Sequence, residues 1–303
     1  MMCRFALCCL FLAAFFCHAQ QDSVVAASGD GIFSILRSQG MDPIKYYVPF
    51  TELNAANIKN ASELIVGKTY RLPDAPDSFK NMGREILVDT QVNKPIFKEA
   101  LAKMKRKDSS LAGRVYYFLH AKGKEATANE MVDAELRTLA RDLLQKGAAV
   151  YLMRNTNGPV SWDKDNLEAL GNFSDWVNRF SLQHPGAAQR VIVLHDLGTA
   201  TNTLSLTLGR YGEKEQETPL FQELLKTFKK SAFVKSGDKI GAYDIKDPVG
   251  VYLAKNILPP LFVLKLHPAA QKETNSVRIR SKKGKLAQVL GSGIDAAANG
   301  DRS

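Results

Sequence analysis

Cysteine is confined to one end of this chain. Cys3, Cys8, Cys9 and Cys17 are all there is, so nothing after them can form a disulfide framework, supply a thiolate nucleophile or build a cysteine metal site. Histidine is sparse too: beyond Ala19 only His120, His184, His195 and His267 occur. There is no G-x-S-x-G elbow, no phosphate-binding loop and no G-x-G-x-x-G, which leaves out the nucleophile-elbow hydrolases and the usual nucleotide-binding folds. After the first residues no apolar run reaches the ~18 residues that a membrane-spanning helix needs.

What is present is a chain of 303 residues with 45% hydrophobic and 24% charged residues, long enough for two modest domains with buried cores. Its net charge of +10 favours an anionic or acid-rich surface as partner. The N-terminus turns that expectation away from nucleic acid. Arg4, the apolar run Phe5 to Phe16 and the exit Cys17-His18-Ala19 read as a secretory signal peptide over residues 1–19. Lipidation of Cys17 is the competing reading, set against the bulky Phe15-Phe16 before it. Either way the expected location is secreted across the inner membrane, in the periplasm or cell envelope.

Residues 24–75 read as strand, helix, helix, strand. Val24-Val25 suits a short edge strand, and Asp30 is placed to cap a helix carrying Ile32, Phe33, Ile35 and Leu36. Gly40 closes that helix, and Pro49 is expected to open a second one with Phe50 and Leu53. Leu64-Ile65-Val66-Gly67 leads into a closing strand from Thr69 to Leu72. Gly29-Asp30, Leu53-Asn54, Leu64 to Gly67 and Tyr70-Arg71-Leu72-Pro73 occur in the order found in LysM modules, and the span resembles that family, with a longer middle segment from Met41 to Val48. The resemblance implies a βααβ fold that binds N-acetylglucosamine-containing glycan such as peptidoglycan. Its groove would lie between Gly29, Asp30, Gly31 and Ile32 on one side and Leu64, Ile65, Val66 and Gly67 on the other. The other reading is that these residues only fold the unit. Only one copy is found, so avidity from repeats is not available.

Residues 76–112 mix Pro76, Gly83, Pro95 and the basic run Lys103 to Lys107 and read as a partly ordered linker, with Ile86-Leu87-Val88 as a candidate strand and Ile96 to Met104 as a candidate short helix. From Gly113 strands and helices alternate, the pattern of a three-layer α/β domain over residues 113–290. Strands are expected at Val115–Leu119, Ala149–Met153, Val191–Leu194, Thr203–Leu208 and Leu261–Leu266. Helices are expected at Asn129–Lys146, Leu167–Leu182 and Pro219–Lys230. Three of the four histidines fall at or beside strand C-termini, where α/β sheets usually assemble their sites.

Gly147 to Thr156 (GAAVYLMRNT) is similar to the G-A-x-V-x-L-T-R-D-T strand of zinc-dependent N-acetylmuramoyl-L-alanine amidases. Val251 to Pro260 with the following strand, and Val191 to His195, resemble that family's last helix-turn-strand and its I-S-I-H segment. The resemblance implies two histidines and a glutamate on zinc, with a second glutamate as general base on the bound water. His195 matches one ligand; His120, two residues before the register position held by Lys122, stands for the other; Glu130, or Glu125, stands for the carboxylate. The general-base position holds Lys265. An ammonium opposes a nearby Zn²⁺ and takes no proton at its ordinary pKa. Three readings therefore stand. One is a degenerate amidase-like domain used for binding or for regulating other cell-wall hydrolases. The second is a working amidase, with zinc held by a rebuilt set such as His120, His195 and His267. The third is an unrelated α/β domain in which the histidines only cap or bond within the core. Without a later cysteine, L,D-transpeptidase and cysteine-peptidase chemistry, frequent companions of LysM modules, are excluded. Ser276 to Leu290 reads as a basic, amphipathic end segment or edge strand, and residues 291–303 as a disordered tail.

Overall fold

The computed structural model describes residues 22–60, 62–123, 130–198, 203–212, 218–232, 241–267, 276–280 and 285–300. The signal-peptide reading with its Cys17 alternative, and Glu125, lie outside those residues. The chain divides into two compact units, Met1–Ser78 with Leu101–Lys103, and Phe79–Ala100 with Met104–Ser303.

In the first unit β1 (Ser23–Val25), α1 (Ile32–Ser38), α2 (Pro43–Leu53), a 3-10 turn (Ala55–Asn57) and β2 (Thr69–Arg71) follow in order. β1 and β2 pair antiparallel, with Val24 opposite Tyr70. The helices bury Ile35, Leu36, Tyr46 and Phe50 against Tyr70 and Leu72. At the end of α1, Gly40 N–H donates to the Arg37 carbonyl and Met41 N–H to that of Leu36, the paired bonds of a glycine-closed helix. Two local expectations are corrected. Gly31, not Asp30, is the residue that caps α1, its N–H donating to Ser34 Oγ at 2.8 Å. α2 opens at Pro43 behind an Asp42 cap and carries Pro49 within it; proline is already favoured at the first helical position, and the side-chain cap at Asp42 fixes the start there.

The second unit is a mixed α/β body around a ten-stranded sheet. Its strands are β3 (Gly83–Leu87), β4 (Val92–Pro95), β5 (Arg114–Lys122), β6 (Ala149–Arg154), β7 (Val160–Ser161), β8 (Ala188–Asp196), β9 (Thr203–Arg210), β10 (Ala242–Asp244), β11 (Leu261–His267) and β12 (Val277–Arg280). Its longer helices are α3 (Glu130–Gln145), α4 (Leu167–Gln183), α5 (Pro219–Ser231), α6 (Pro248–Asn256) and α7 (Lys285–Gly300). The strand order is β10-β9-β11-β8-β5-β6-β3-β4. From β11 to β3 neighbours run parallel, while β9 lies antiparallel to β11 and β4 antiparallel to β3. β12 pairs with β9 over Thr203–Leu206 and β10 with β9 over Leu208–Arg210, so the two share one edge end to end.

Alternation along the strands sorts the side chains onto two faces. On one, Tyr117, Leu119, Val191, Val193, Leu261 and Val263 pack with Phe173, Trp176, Val177 and Phe180 of α4 and with Val249 and Leu253 of α6. On the other, Phe262 meets Phe221 of α5. The carboxylate of Glu135 on α3 accepts from Ala287 N–H on α7 at 2.8 Å. Helices therefore cover both faces, as the alternating pattern implied.

Two boundaries differ from the sequence reading. The stretch 76–112 is more than a partly ordered linker: β3, which overlaps the candidate strand Ile86-Leu87-Val88, and β4 belong to the large sheet, and β3 pairs with β6 over its whole length. Of the candidate helix Ile96 to Met104 only the 3-10 turn Leu101–Lys103 forms. Residues 291–300 are helical within α7, with Ile294, Ala297 and Ala298 buried. Their small size favours close helix packing, which composition alone reads as disorder.

Candidate functional site

In the first unit the two loops singled out by sequence leave the β-ribbon side by side. Gly67 N–H donates to the Ala26 carbonyl at 2.8 Å, and Ala26 N–H to that of Lys68 at 3.0 Å. Tyr70 Oη accepts from Ile65 N–H at 2.7 Å and donates to the Asn57 carbonyl at 3.1 Å, which fixes the second loop from beneath. Asp30 is bound to its own loop, its carboxylate accepting from Ala27 N–H at 2.8 Å. Ile32 lies in the core and Leu64 packs partly against it, so both anchor the loops. Gly29, Gly31, Val66 and Gly67 are exposed, with Ile65 half-buried. Gly29 (φ +89°) and Gly67 (φ +80°) adopt the left-handed backbone that favours glycine. At Gly29, Gly31 and Gly67 an added Cβ would meet nothing within 4 Å. The loop pair thus presents bare backbone to its surroundings.

In the second unit the candidate residues collect at the C-terminal ends of β5, β8 and β11, but on different faces. Ala121 stands opposite His195, and His195 opposite Lys265. His195 and Lys265 therefore share a face, and His120 and Lys122, one residue either side of Ala121, point the other way. His120 is 1% exposed, and its Nδ1 lies 2.8 Å from Oδ1 of Asp133 on α3. Burial works against the Asp133 charge, yet the hydrogen bond and charge of His120 hold that carboxyl below its usual range. His195 stacks on Trp162 with ring centroids 4.8 Å apart. Trp162 Nε1 donates to Asp247 Oδ1 at 2.9 Å, and the same carboxylate oxygen caps α6 through Gly250 N–H. His267 lies 2.8 Å through Nε2 from Thr207 Oγ1. Glu130 is exposed at the start of α3. His184 is half-buried with its Nε2 2.8 Å from Tyr151 Oη.

These positions do not suit the zinc set that the resemblance implied. His120 is turned to Asp133 and away from His195, and Lys265 takes the place beside His195. Among the described residues no group of three or more His, Cys, Asp or Glu side chains is placed to hold a metal ion.

His195 has its pKa pushed down to about 4 from 6.5, first by burial and then by the nearby Lys265 charge. It is neutral at pH 7. Since the unfolded chain binds this proton more tightly, the group's contribution is complete above the unfolded pKa and is lost as pH falls towards 4. Between pH 7.5 and 4.5 the wild type is expected to lose about 2–3 kcal/mol of unfolding free energy that His195→Gln keeps. Urea unfolding of both proteins at the two pH values checks this, and parallel losses would contradict it.

Trp162, Asp133, Asp247, Tyr243 and Thr207 escaped the sequence reading. Each lies in or beside an element that only the register of the sheet brings to the histidines, and no spacing announces them.

No protein-family model and no curated protein sequence matches the chain. Among solved structures it is similar to the N-acetylmuramyl-L-alanine amidase Ami1 from Mycobacterium abscessus, at 14% identity and a TM-score of 0.41 over 61% of this chain and 99% of that one. It is also similar to the CwlD amidase from Clostridioides difficile, solved in complex with the GerS lipoprotein, at 14% identity and a TM-score of 0.43 over 62% and 99%. A metallo-carboxypeptidase from Burkholderia cenocepacia shares 12% identity with a TM-score of 0.34, over 63% of this chain and 58% of that one. None of these scores reaches 0.5.

Proposed function

We propose that this is a cell-envelope protein that binds peptidoglycan through its first unit. Its second unit is an amidase-like domain that serves binding, or the regulation of other cell-wall hydrolases, and not zinc hydrolysis. The observation that carries the second half is the pairing of Lys265 with His195 while His120 faces Asp133. A working zinc site would need His120 on the opposite face of its strand and a carboxylate at residue 265. The order of the LysM-like motifs supports the first half, together with two adjoining loops whose exposed glycines put no side chain between a sugar and the backbone.

The charge distribution fits an uncharged glycan at the first unit. Residues 22–78 hold five basic and seven acidic side chains, whereas residues 79–303 hold 35 and 24. The basic surplus thus belongs to the second unit, where it suits the acidic groups of the wall.

Gly31 allows a clean test. Its φ of −120° suits any residue and the space beyond its Cα is open, so Gly31→Trp leaves the fold intact and obstructs only a ligand. The variant is expected to lose at least tenfold in retention on purified sacculi at unchanged Tm. Undiminished retention would sink the assignment of this groove. Metal analysis of the purified protein after incubation with zinc is expected to find less than stoichiometric zinc, and one bound ion lost in His195→Ala would overturn the reading of the second unit.

A further inference from the structure

His195 is 6% exposed, and neither of its ring nitrogens has a hydrogen-bond partner among the described residues. A buried polar group left so costs stability unless something else pairs with it. Its neighbour in the register, Lys265, is half-buried and makes no ion pair among the described residues. The ammonium instead lies 4.3 Å from the centroid of the Tyr243 ring. Tyr243 is itself fixed, because its ring packs on Gly209, where an added Cβ would come within 2.3 Å of Cζ. The nearby Asp247 is engaged with Trp162 and Gly250 through Oδ1, while its buried Oδ2 has no partner among the described residues and its charge reaches His195. At the other side of His195, a Cβ on Gly123 would lie 3.7 Å from Nε2 and 3.1 Å from Leu197 Cδ2, so Gly123 and the Leu197 side chain line that side together. Among the described residues, a cation that makes no ion pair thus sits beside an unbonded imidazole, with an aromatic wall at Trp162 and the Gly123 backbone with Leu197 on the other side.

We propose that Lys265, His195 and Trp162 form a binding site for a carboxylate, such as the free end of a short peptide. The Lys265 ammonium pairs with the carboxylate, a ring N–H of His195 donates to its second oxygen, and Trp162 flanks the group that carries it. No bond is made or broken. The site takes the place that a dication and a general base would need, so the proposal rests on the zinc-free reading above.

The test is NMR of the full chain labelled on its histidine rings, titrated with N-acetyl-L-alanine and with its uncharged amide. The His195 ring signals are expected to shift saturably with the acid, with His184 unmoved, and at least tenfold more weakly with the amide. Lys265→Met is expected to weaken acid binding by the same factor. Gly123→Ala, which keeps the charge and narrows the approach, is expected to weaken it too. Equal response to acid and amide, no response, or unchanged binding in Lys265→Met would overturn the proposal. Tighter binding of inorganic phosphate would overturn the choice of a carboxylate. Adding zinc to the same sample separates the two claims. A stoichiometric His195 response to zinc alone defeats the zinc-free reading, whereas silence to zinc and to the acid defeats only the carboxylate site.

Discussion

Glu85→Ala is expected to destabilise the second unit by about 3 kcal/mol, one of the largest effects of any single charged residue in the chain. Glu85 is 3% exposed in β3 and holds three cations. Arg137 of α3 donates to Oε1, Arg154 at the end of β6 reaches the same oxygen at 3.1 Å, and Lys94 of β4 lies 3.4 Å from Oε2. Removing the carboxylate leaves those cations facing one another beside His120 and Asp133, which line the same small cavity. Breaking a buried ion pair costs about 3–5 kcal/mol, and the lower end applies because the cations are only partly buried and can turn towards water. Glu85→Gln keeps the shape and one acceptor, so its loss should be about half as large. Urea titration reads both, with a shifted midpoint at constant slope. A Glu85→Ala midpoint equal to wild type would show that the network contributes nothing.

Asn54→Ala is the counterpart in the first unit. Asn54 is 3% exposed, and its amide spends every group on backbone. Nδ2 donates to the carbonyls of Phe50 and Arg71, both at 2.8 Å, and Oδ1 accepts from Arg71 N–H at 2.8 Å. The side chain therefore ties the end of α2 to β2. Alanine leaves these partners unsatisfied in a buried place, at about 1–3 kcal/mol for each group that water cannot reach. A ~60-residue unit has only about 3–9 kcal/mol in total, so the loss removes much of it. The expected results are a lower melting transition for the first unit alone and loss of sacculus retention at 37 °C. Retention at full strength would show that the glycan is held elsewhere.

Asn54 was visible in the sequence as part of a motif; Glu85 was not, and the difference is physical. The strands β5, β6, β8, β9 and β11 and the helices α3, α4 and α5 announce themselves because apolar residues recur at periods of two and 3.6. Asn54 bonds within its own small unit, where motif order is informative. Glu85 looks like a surface charge in a polar connector because its two arginine partners lie 52 and 69 residues away. α7 was hidden by Gly291, Ser292 and Gly293, which read as a tail. Yet Gly293 is small because α5 lies against it, and a Cβ there would come within 2.7 Å of Leu224 Cδ2. For the histidines, strand ends were legible but faces were not. Which side His120 takes relative to His195 depends on the pairing of β5 with β8, and no single strand carries that information.

The arrangement around β9 also bears on how the protein resists self-association at high concentration. An exposed sheet edge offers unpaired N–H and C=O groups to any passing strand. Here one edge is the four-residue β4, which ends in Lys94-Pro95, and the other is broken between the three residues of β10 and the four of β12. Neither offers a long, straight template. Such a sheet resists edge-to-edge polymerisation through its geometry, without a disulfide to lock it.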